Sequence, residues 1–392
     1  MEPVDIRLFY AYLLPIFAFM GGPMATMGGA SLKGCGFPAV YNFGDSNSDT
    51  GGISAAMTQV PPPNGESFFG HPSGRFCDGR LIIDLIAEKV KLPYLSPYLD
   101  SVGTNFRNGA NFATGGSSIR PGGFSPFHLG IQISQFIQFK SRTSAVYNQL
   151  RTTPPFKSNL PRPRDFSKAL YTFDIGQNDL AYGFQHTNEE QVRASIPDIL
   201  SQFSKAVHQL YKEGARFFWI HNTGPIGCLP YSVIYDKSKP NNLDQSGCVK
   251  PQNEMAQEFN RQLKDKVSQL RLQLPYGAFT YVDVYSVKYA LISNAQNQGF
   301  VDPMNFCCGS FYGYHIDCGK KATVNGTVYG NPCHHPSKYI SWDGIHYSQA
   351  ANLWVANRIL NGSFSNPPVS IEQLSHQFYW FCEVLPSFAP EQ

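Results

Sequence analysis

Four short apolar runs, each ending at a polar turn and separated by segments of helical periodicity, constrain this chain more than any other feature. Ala39-Val40-Tyr41-Asn42-Phe43 reads as a strand stopping at Gly44, and Ala169 to Phe173 as a second. Phe217 to Ile220 reads as a third, stopped by Thr223-Gly224-Pro225, and Phe279 to Val284 as a fourth. Between them, Asp78 stands where it would cap a helix through Lys89, with Leu81, Ile82, Leu85 and Ile86 on one face. Val192, Ile196, Ile199, Phe203, Val207 and Leu210 keep helical spacing, and so do Met255, Phe259, Leu263, Val267 and Leu270. Gln349 to Leu360 reads as the last helix, closed by Gly362. Short apolar strands alternating with amphipathic helices predict an α/β fold, a parallel sheet with helices on both faces. No repeat or low-complexity linker interrupts residues 31–392, so the expectation is a single domain in which 61–77, 152–166 and 236–251 are long loops. In such sheets the chemistry sits at the carboxyl ends of the strands. The residues just after Phe43, Phe173 and Val284 are therefore the first candidates for a site.

Composition narrows the partners and the compartment. Apolar residues make up 42% of the 392, with 30 Phe and 21 Tyr, which is ample for a core and excludes a disordered chain. Charged residues reach only 15%, and no basic run accompanies the balance of 31 Lys+Arg against 28 Asp+Glu, so a nucleic-acid partner is excluded. Leu8 to Met20 is apolar, follows Arg7 and contains Pro15, and falls short of the roughly 20 residues of a membrane span. Small residues follow it to Ala30, so residues 1–30 are predicted to be a signal peptide, and no later run is long enough to span a membrane. Asn325-Gly-Thr and Asn361-Gly-Ser are glycosylation acceptors. Nine cysteines point the same way. Cys307, Cys308, Cys318 and Cys333 contain no CxxC pair, so disulfides are expected there rather than zinc, with at least one pair inside the group. Cys228 and Cys248 bracket a polar loop and are expected to pair. Cys35, Cys77 and Cys382 remain, and the odd total leaves at least one thiol unpaired. The expected location is extracellular, in cell wall or apoplast, or vacuolar.

Three polar blocks follow strands or precede the last helix. In Gly44-Asp45-Ser46-Asn47-Ser48-Asp49-Thr50-Gly51-Gly52, a Ser just beyond the Gly at a strand end has a nucleophile's position, although the G-x-S-x-G elbow is absent. The plain alternative is a polar turn. In Asp174-Ile175-Gly176-Gln177-Asn178-Asp179, the Asn178 amide is placed to donate to a developing oxyanion, or simply to close the turn. In Trp342-Asp343-Gly344-Ile345-His346-Tyr347, Asp343 and His346 stand three apart, as a base and its orienter would. The alternative is a helix-capping Asp beside a surface His. Asn108-Gly109-Ala110-Asn111-Phe112-Ala113-Thr114-Gly115-Gly116 offers backbone N–H groups to a reacting oxygen, and no Lys follows in P-loop spacing. His334-His335 reads as loop surface. Each block alone is weak, and their order along the chain makes the set specific.

In that order, Phe43-Gly44-Asp45-Ser46, the Gly of Asn111-Phe112-Ala113-Thr114-Gly115-Gly116, Gly176-Gln177-Asn178-Asp179 and Asp343-Gly344-Ile345-His346, the chain resembles the plant GDSL esterase/lipases of the SGNH hydrolases. The likeness runs from about Cys35 to Leu360. Around Cys35 and Phe43 to Gly52 it is greatest to the branch holding nodulin-type esterases and proteins labelled alpha-L-fucosidase. Asn47 stands where the name-giving Leu would be. The resemblance implies a flavodoxin-like, three-layer α/β/α fold. It implies Ser46 as nucleophile, His346 as base, Asp343 as orienter, and the N–H groups of Ser46 and Gly116 with Asn178 as the oxyanion hole. Gly115 is an alternative to Gly116. The expected activity is a secreted serine ester hydrolase acting on a small-molecule, lipid or carbohydrate ester, with no metal and no organic cofactor. Its rivals are an acyltransferase using the same residues on a sugar or phenolic hydroxyl, and a glycosidase. The glycosidase needs two carboxylates about 5–9.5 Å apart, for which Asp45, Asp174, Asp179 and Asp343 are the candidates.

Overall fold

A computed structural model of the chain describes residues 36–149, 157–235, 242–312 and 314–376. Residues 1–30, expected to be a signal peptide, Cys35, Cys382 and parts of the loops 152–166 and 236–251 lie outside them. The described elements run β1 (Val40–Gly44), α1 (Gly52–Ala56), α2 (Glu66–Phe69), α3 (Ile82–Lys89), β2 (Gly109–Asn111), α4 (Leu129–Gln149), β3 (Leu170–Asp174), α5 (Gln177–His186), α6 (Glu189–Lys212), β4 (Phe217–His221), α7 (Pro230–Tyr235), α8 (Lys250–Gln273), β5 (Ala278–Val282) and α9 (Val284–Ser293). Two small hairpins follow, β6 (Ser310–Phe311) with β7 (His315–Ile316) and β8 (Ala322–Val324) with β9 (Thr327–Tyr329), then α10 (Gln349–Ile359), β10 (Ser365–Asn366) and α11 (Ile371–His376).

The main sheet has the order β2-β1-β3-β4-β5-β10. Its first five strands are parallel, with Tyr41 opposite Tyr171 and Thr172 opposite Trp219, and β10 pairs antiparallel to β5. Alternation along each strand divides the core in two. Tyr41, Phe43, Tyr171, Phe173, Phe218 and Ile220 face α4, α6 and α8, where they join Phe136, Phe203 and Phe259. Val40, Leu170, Phe217, Trp219 and Val282 face α3, α9 and α10, where they join Ile86, Leu291 and Val355. The result is a three-layer α/β/α sandwich of flavodoxin-like strand order. Each fully buried Phe stabilises it by roughly 1.5–3 kcal/mol.

The expected helical stripes at 192–210 and 255–270 are buried as the spacing requires. Four local expectations change. Asp78 does not cap α3, whose N-cap position is Leu81. Its Oδ1 instead accepts from Gln349 N at 2.7 Å, at the start of α10. The fourth strand ends at Val282, because the Asp283 carboxylate accepts from Ser286 N and starts α9. Gly362 does close α10, yet α11 follows it, so α10 is not the last helix. The Gly-rich stretch contains a strand, β2, before its glycines. Helix α4 has no counterpart in the periodicity, since its stripe is confined to Leu129, Ile133, Phe136 and Phe139 and none continues beyond.

Three disulfides form among the described residues: Cys228–Cys248, Cys307–Cys333 and Cys308–Cys318. The first is the pair expected, and the late group makes two pairs. Cys77 is buried and unpaired.

Candidate active site

Strand order places the site. In a 2-1-3-4-5 sheet the connections from β1 and β3 leave in opposite directions, and the crevice they open lies beyond the carboxyl ends of these two strands. The turn after β1 carries Ser46, and the turn after β3 leads into α5 with Asn178 in its first turn. A methyl group on Gly44 would stand 2.2 Å from Ser48 Oγ and 2.7 Å from Asp174 O, so the turn closes only with glycine there.

The two peptide groups around that turn are held by Gln132 of α4. Its Oε1 accepts from Gly44 N at 3.0 Å, and its Nε2 donates to Gly44 O at 2.8 Å and Phe127 O at 3.0 Å. Asp49 ties the turn to the glycine loop. Its carboxylate accepts from the N–H groups of Gly51, Gly52 and Ile53, and from Gly115 N at 2.8 Å. Asn111, at the end of β2, donates to Ser48 O at 2.6 Å and Thr50 Oγ1 at 2.9 Å. On the far side, Asp179 accepts from Ile119 N at 2.7 Å and Arg120 N at 3.0 Å. Thus three loops from three strands are bound into one floor.

On that floor His346 Nε2 lies 2.8 Å from Ser46 Oγ, and His346 Nδ1 lies 2.6 Å from Asp343 Oδ2. Asp343 Oδ1 accepts from Ile345 N at 3.0 Å and His346 N at 2.7 Å. Burial opposes ionisation of Asp343, but the imidazole and these two N–H groups outweigh it and hold its pKa below the usual value. The Phe76 ring stacks on the imidazole at 5.0 Å. Asp343 does not cap the following helix; Ser348 does, accepting from Ala351 N.

Gly116 has φ +75°, a conformation that favours glycine. Among the described residues no acceptor meets its N–H or that of Ser46. Asn178 Nδ2 donates one hydrogen to Ser117 O at 2.9 Å, leaving its second hydrogen available. Ser46, Gly116, Asn178 and His346 all line one cleft of about 1110 Å³. Of the two glycines left open by the sequence, Gly115 gives its N–H to Asp49, so Gly116 is the one with an N–H to offer.

Gln132 and Phe76 escape sequence reasoning, and so do the loop-holding roles of Asp49 and Asp179. Asp49 followed by Thr-Gly-Gly carries an Asx-turn signal that could have found it. Gln132 is a polar residue on the apolar stripe of α4, and its signal is lost with that of the helix. No cluster of His, Cys, Asp or Glu among the described residues has the arrangement of a metal site.

A flavodoxin-like α/β/α fold with a serine and a carboxylate-bound histidine at its switch point defines a hydrolase of the SGNH class. A family model described as GDSL-like Lipase/Acylhydrolase matches residues 40–359. The chain belongs to that family. It is 59% identical over 347 residues to the GDSL esterase/lipase At3g27950 of Arabidopsis thaliana, covering 88% of this chain and 92% of that one. It is 52% identical to the Arabidopsis protein named Alpha-L-fucosidase 3, over 84% of this chain and 91% of that one. It is 46% identical to the GDSL esterase/lipase ENOD8 of Medicago truncatula, over 88% and 92%. The protein is an ester-hydrolysing enzyme, and the branch expected from Phe43 to Gly52 is the one these relatives occupy.

Proposed function

We propose that this enzyme cleaves carboxylic esters by way of an acyl-enzyme on Ser46. The observation that carries the reading is the row Ser46–His346–Asp343, joined by contacts of 2.8 and 2.6 Å, with Ser46 and His346 lining the cleft. His346 Nε2 takes the Ser46 proton as Oγ forms its bond to the ester carbonyl carbon. Asp343 fixes the Nδ1–H tautomer and stabilises the imidazolium. The carbonyl π electrons move onto oxygen, which the N–H groups of Ser46 and Gly116 and the Asn178 amide receive. Collapse expels the alcohol, which leaves with the proton from His346. Water then repeats the sequence at the acyl carbon and frees the acid.

The cleft walls mix Phe124, Phe184, Tyr231 and Tyr235 with Gln185 and Asn188, and carry carboxylates at Glu189, Glu190 and Asp317 with no Lys or Arg. This lining favours uncharged esters over anionic ones. The aspartates that a glycosidase would need are otherwise engaged. Asp179 is held by two N–H groups, Asp343 by His346 and Asp174 by His221, and Asp45 lies fully buried within the serine turn.

The chain is read as secreted and glycosylated. Supporting this are the apolar leader, three disulfides, and two acceptor asparagines at exposed positions. Asn325 sits in the turn between β8 and β9, and Asn361 in the turn after α10.

A panel of p-nitrophenyl esters and p-nitrophenyl glycosides, run with wild type and Ser46→Ala, tests the reading. Ester cleavage that disappears in Ser46→Ala is expected. Ester cleavage that persists there, or glycoside cleavage independent of Ser46, overturns it.

A further inference from the structure

The proposed reaction gives the cleft two sides. The leaving alcohol takes its proton from His346 Nε2, so the alcohol half of the ester lies toward the His346 turn and the acyl half away from it. Toward that turn the wall is aromatic and polar. Tyr231 N donates to Gly344 O at 2.9 Å, which fixes the start of α7 against the turn. The Tyr231 ring meets Tyr235 at 4.3 Å and His315 at 5.5 Å between centroids. His315, on β7, also lies close to the turn: a methyl group on Gly344 would stand 3.8 Å from its Cε1. Its Nε2 is 3.5 Å from Asp317 Oδ1, and Lys320 Nζ meets the other Asp317 oxygen at 2.8 Å. The disulfide Cys308–Cys318 ties down this hairpin next to Asp317. Tyr231, Tyr235, His315 and Asp317 all line the cleft.

Beside the oxyanion donors the wall is apolar instead. Phe124 lies against Gly116, where an added methyl group would stand 3.3 Å from Phe124 Cβ, and it packs edge-on to Tyr182 at 5.1 Å. Ala181 and Phe184 follow Asn178 along one face of α5, and all three line the cleft. Gln185 and Asn188 come at the end of that helix and bound the apolar stretch. From Asn178 to Phe184 the helix rises roughly 9 Å, the length of an acyl chain of about eight carbons. The whole cleft, about 1110 Å³, has room for both halves of such an ester, since pockets of about 300–1,000 Å³ already enclose drug-sized molecules.

We propose that the cleft takes esters of a medium-length apolar acid with a polyhydroxylated, sugar-like alcohol. The acyl chain lies along Phe124, Ala181 and Phe184, and the alcohol lies on Tyr231 and Tyr235 with its hydroxyls bonded by His315 and Asp317. This rests on the proposed Ser46–His346 reaction, whose proton path gives the cleft its two sides. The C–H groups on the face of a sugar ring suit the negative faces of the two tyrosine rings. Its hydroxyls both donate and accept, which matches a carboxylate that only accepts and an imidazole that does either. A hydrocarbon alcohol would strip water from Asp317 and His315 and return no hydrogen bond.

The experiment measures kcat/KM by acid release on 6-O-octanoylglucose, methyl octanoate, 6-O-acetylglucose and methyl acetate, for wild type, His315→Ala, Tyr235→Ala and Phe124→Ala. Wild type is expected to prefer glucose over methyl esters, and octanoyl over acetyl esters, each by about tenfold or more. His315→Ala and Tyr235→Ala are expected to cut the alcohol preference about fivefold or more and to leave the acyl preference in place, and Phe124→Ala to do the converse. General loss of active enzyme cancels in each ratio, so a merely structural role moves neither preference. Tyr235 and Phe124 are 43% and 46% exposed, so their variants decide the matter should His315→Ala not fold. Equal rates of wild type on glucose and methyl esters, or preferences that the variants leave unmoved or move crosswise, overturn the proposal. Ester cleavage that persists in Ser46→Ala would instead overturn the reading on which it rests.

Discussion

Asn178 is the residue whose two readings, oxyanion donor or turn closure, separate most cleanly. One hydrogen of its Nδ2 goes to Ser117 O at 2.9 Å, which fixes the amide plane, and the side chain lines the cleft. A carbonyl oxygen carries partial charge in the ester and a full charge in the tetrahedral intermediate, so a fixed N–H binds the transition state more strongly than the substrate. Asn178→Ala is expected to lower kcat by about 10²–10³ with KM little changed. Asn178→Asp is expected to be at least as damaging, because a carboxylate repels the developing oxyanion. Steady-state kinetics beside thermal midpoints check this, since pure turn closure predicts a lowered midpoint with kcat per folded molecule intact. At this scale the sequence is highly legible. Ser46, His346, Gly116 and Asn178 come to one cleft, with Asp343 bound to His346, because each stands beside a strand end or a helix start that local pattern already marks. Gln132 and Asp179 take their meaning only from contacts between segments 88 and 60 residues apart, to Gly44 and Ile119, which no local pattern records.

At the scale of elements, the nucleophile turn depends on α4, the helix that sequence periodicity does not reveal. Gln132 satisfies both Gly44 N and Gly44 O from inside the core. Gln132→Leu keeps the volume but takes the acceptor from buried Gly44 N and leaves Gly44 O with only the longer bond from Thr114 N at 3.3 Å, at a cost of about 1–3 kcal/mol for the unpaired N–H. Chemical denaturation is expected to report a loss of that order, and kcat to fall with it as the Ser46 turn loosens. A variant as stable and as active as wild type would mean that the turn is held by Asp49 and the sheet alone. The other elements that the pattern misplaces are short or interrupted. β2 has three residues and β10 two, below the length at which alternation is visible. Asp78 has the spacing of a cap for the nearest helix, but it closes the start of α10, 271 residues away.

For the whole molecule, the two faces of the sheet are readable from five parallel strands and their amphipathic helices, and the covalent framework is readable in part. Adjacent Cys307 and Cys308 cannot pair with each other comfortably, yet spacing alone does not choose between Cys318 and Cys333. Peptide mapping of non-reduced protein is expected to find Cys228–Cys248, Cys307–Cys333 and Cys308–Cys318, with Cys77 alkylated only after denaturation because it is buried. Reaction of Cys77 in the folded protein, or another connectivity, would contradict the packing around α3 and α10. The central claim is that this fold brings a serine from the first strand against a histidine 300 residues later to form one nucleophile. Its most direct measurement is mass-spectrometric mapping of a fluorophosphonate label on wild type and His346→Ala. Wild type is expected to carry the label on a single residue, Ser46, and His346→Ala to show suppressed labelling. A label on any other residue, or ester-hydrolysing protein that takes no label, would contradict the claim.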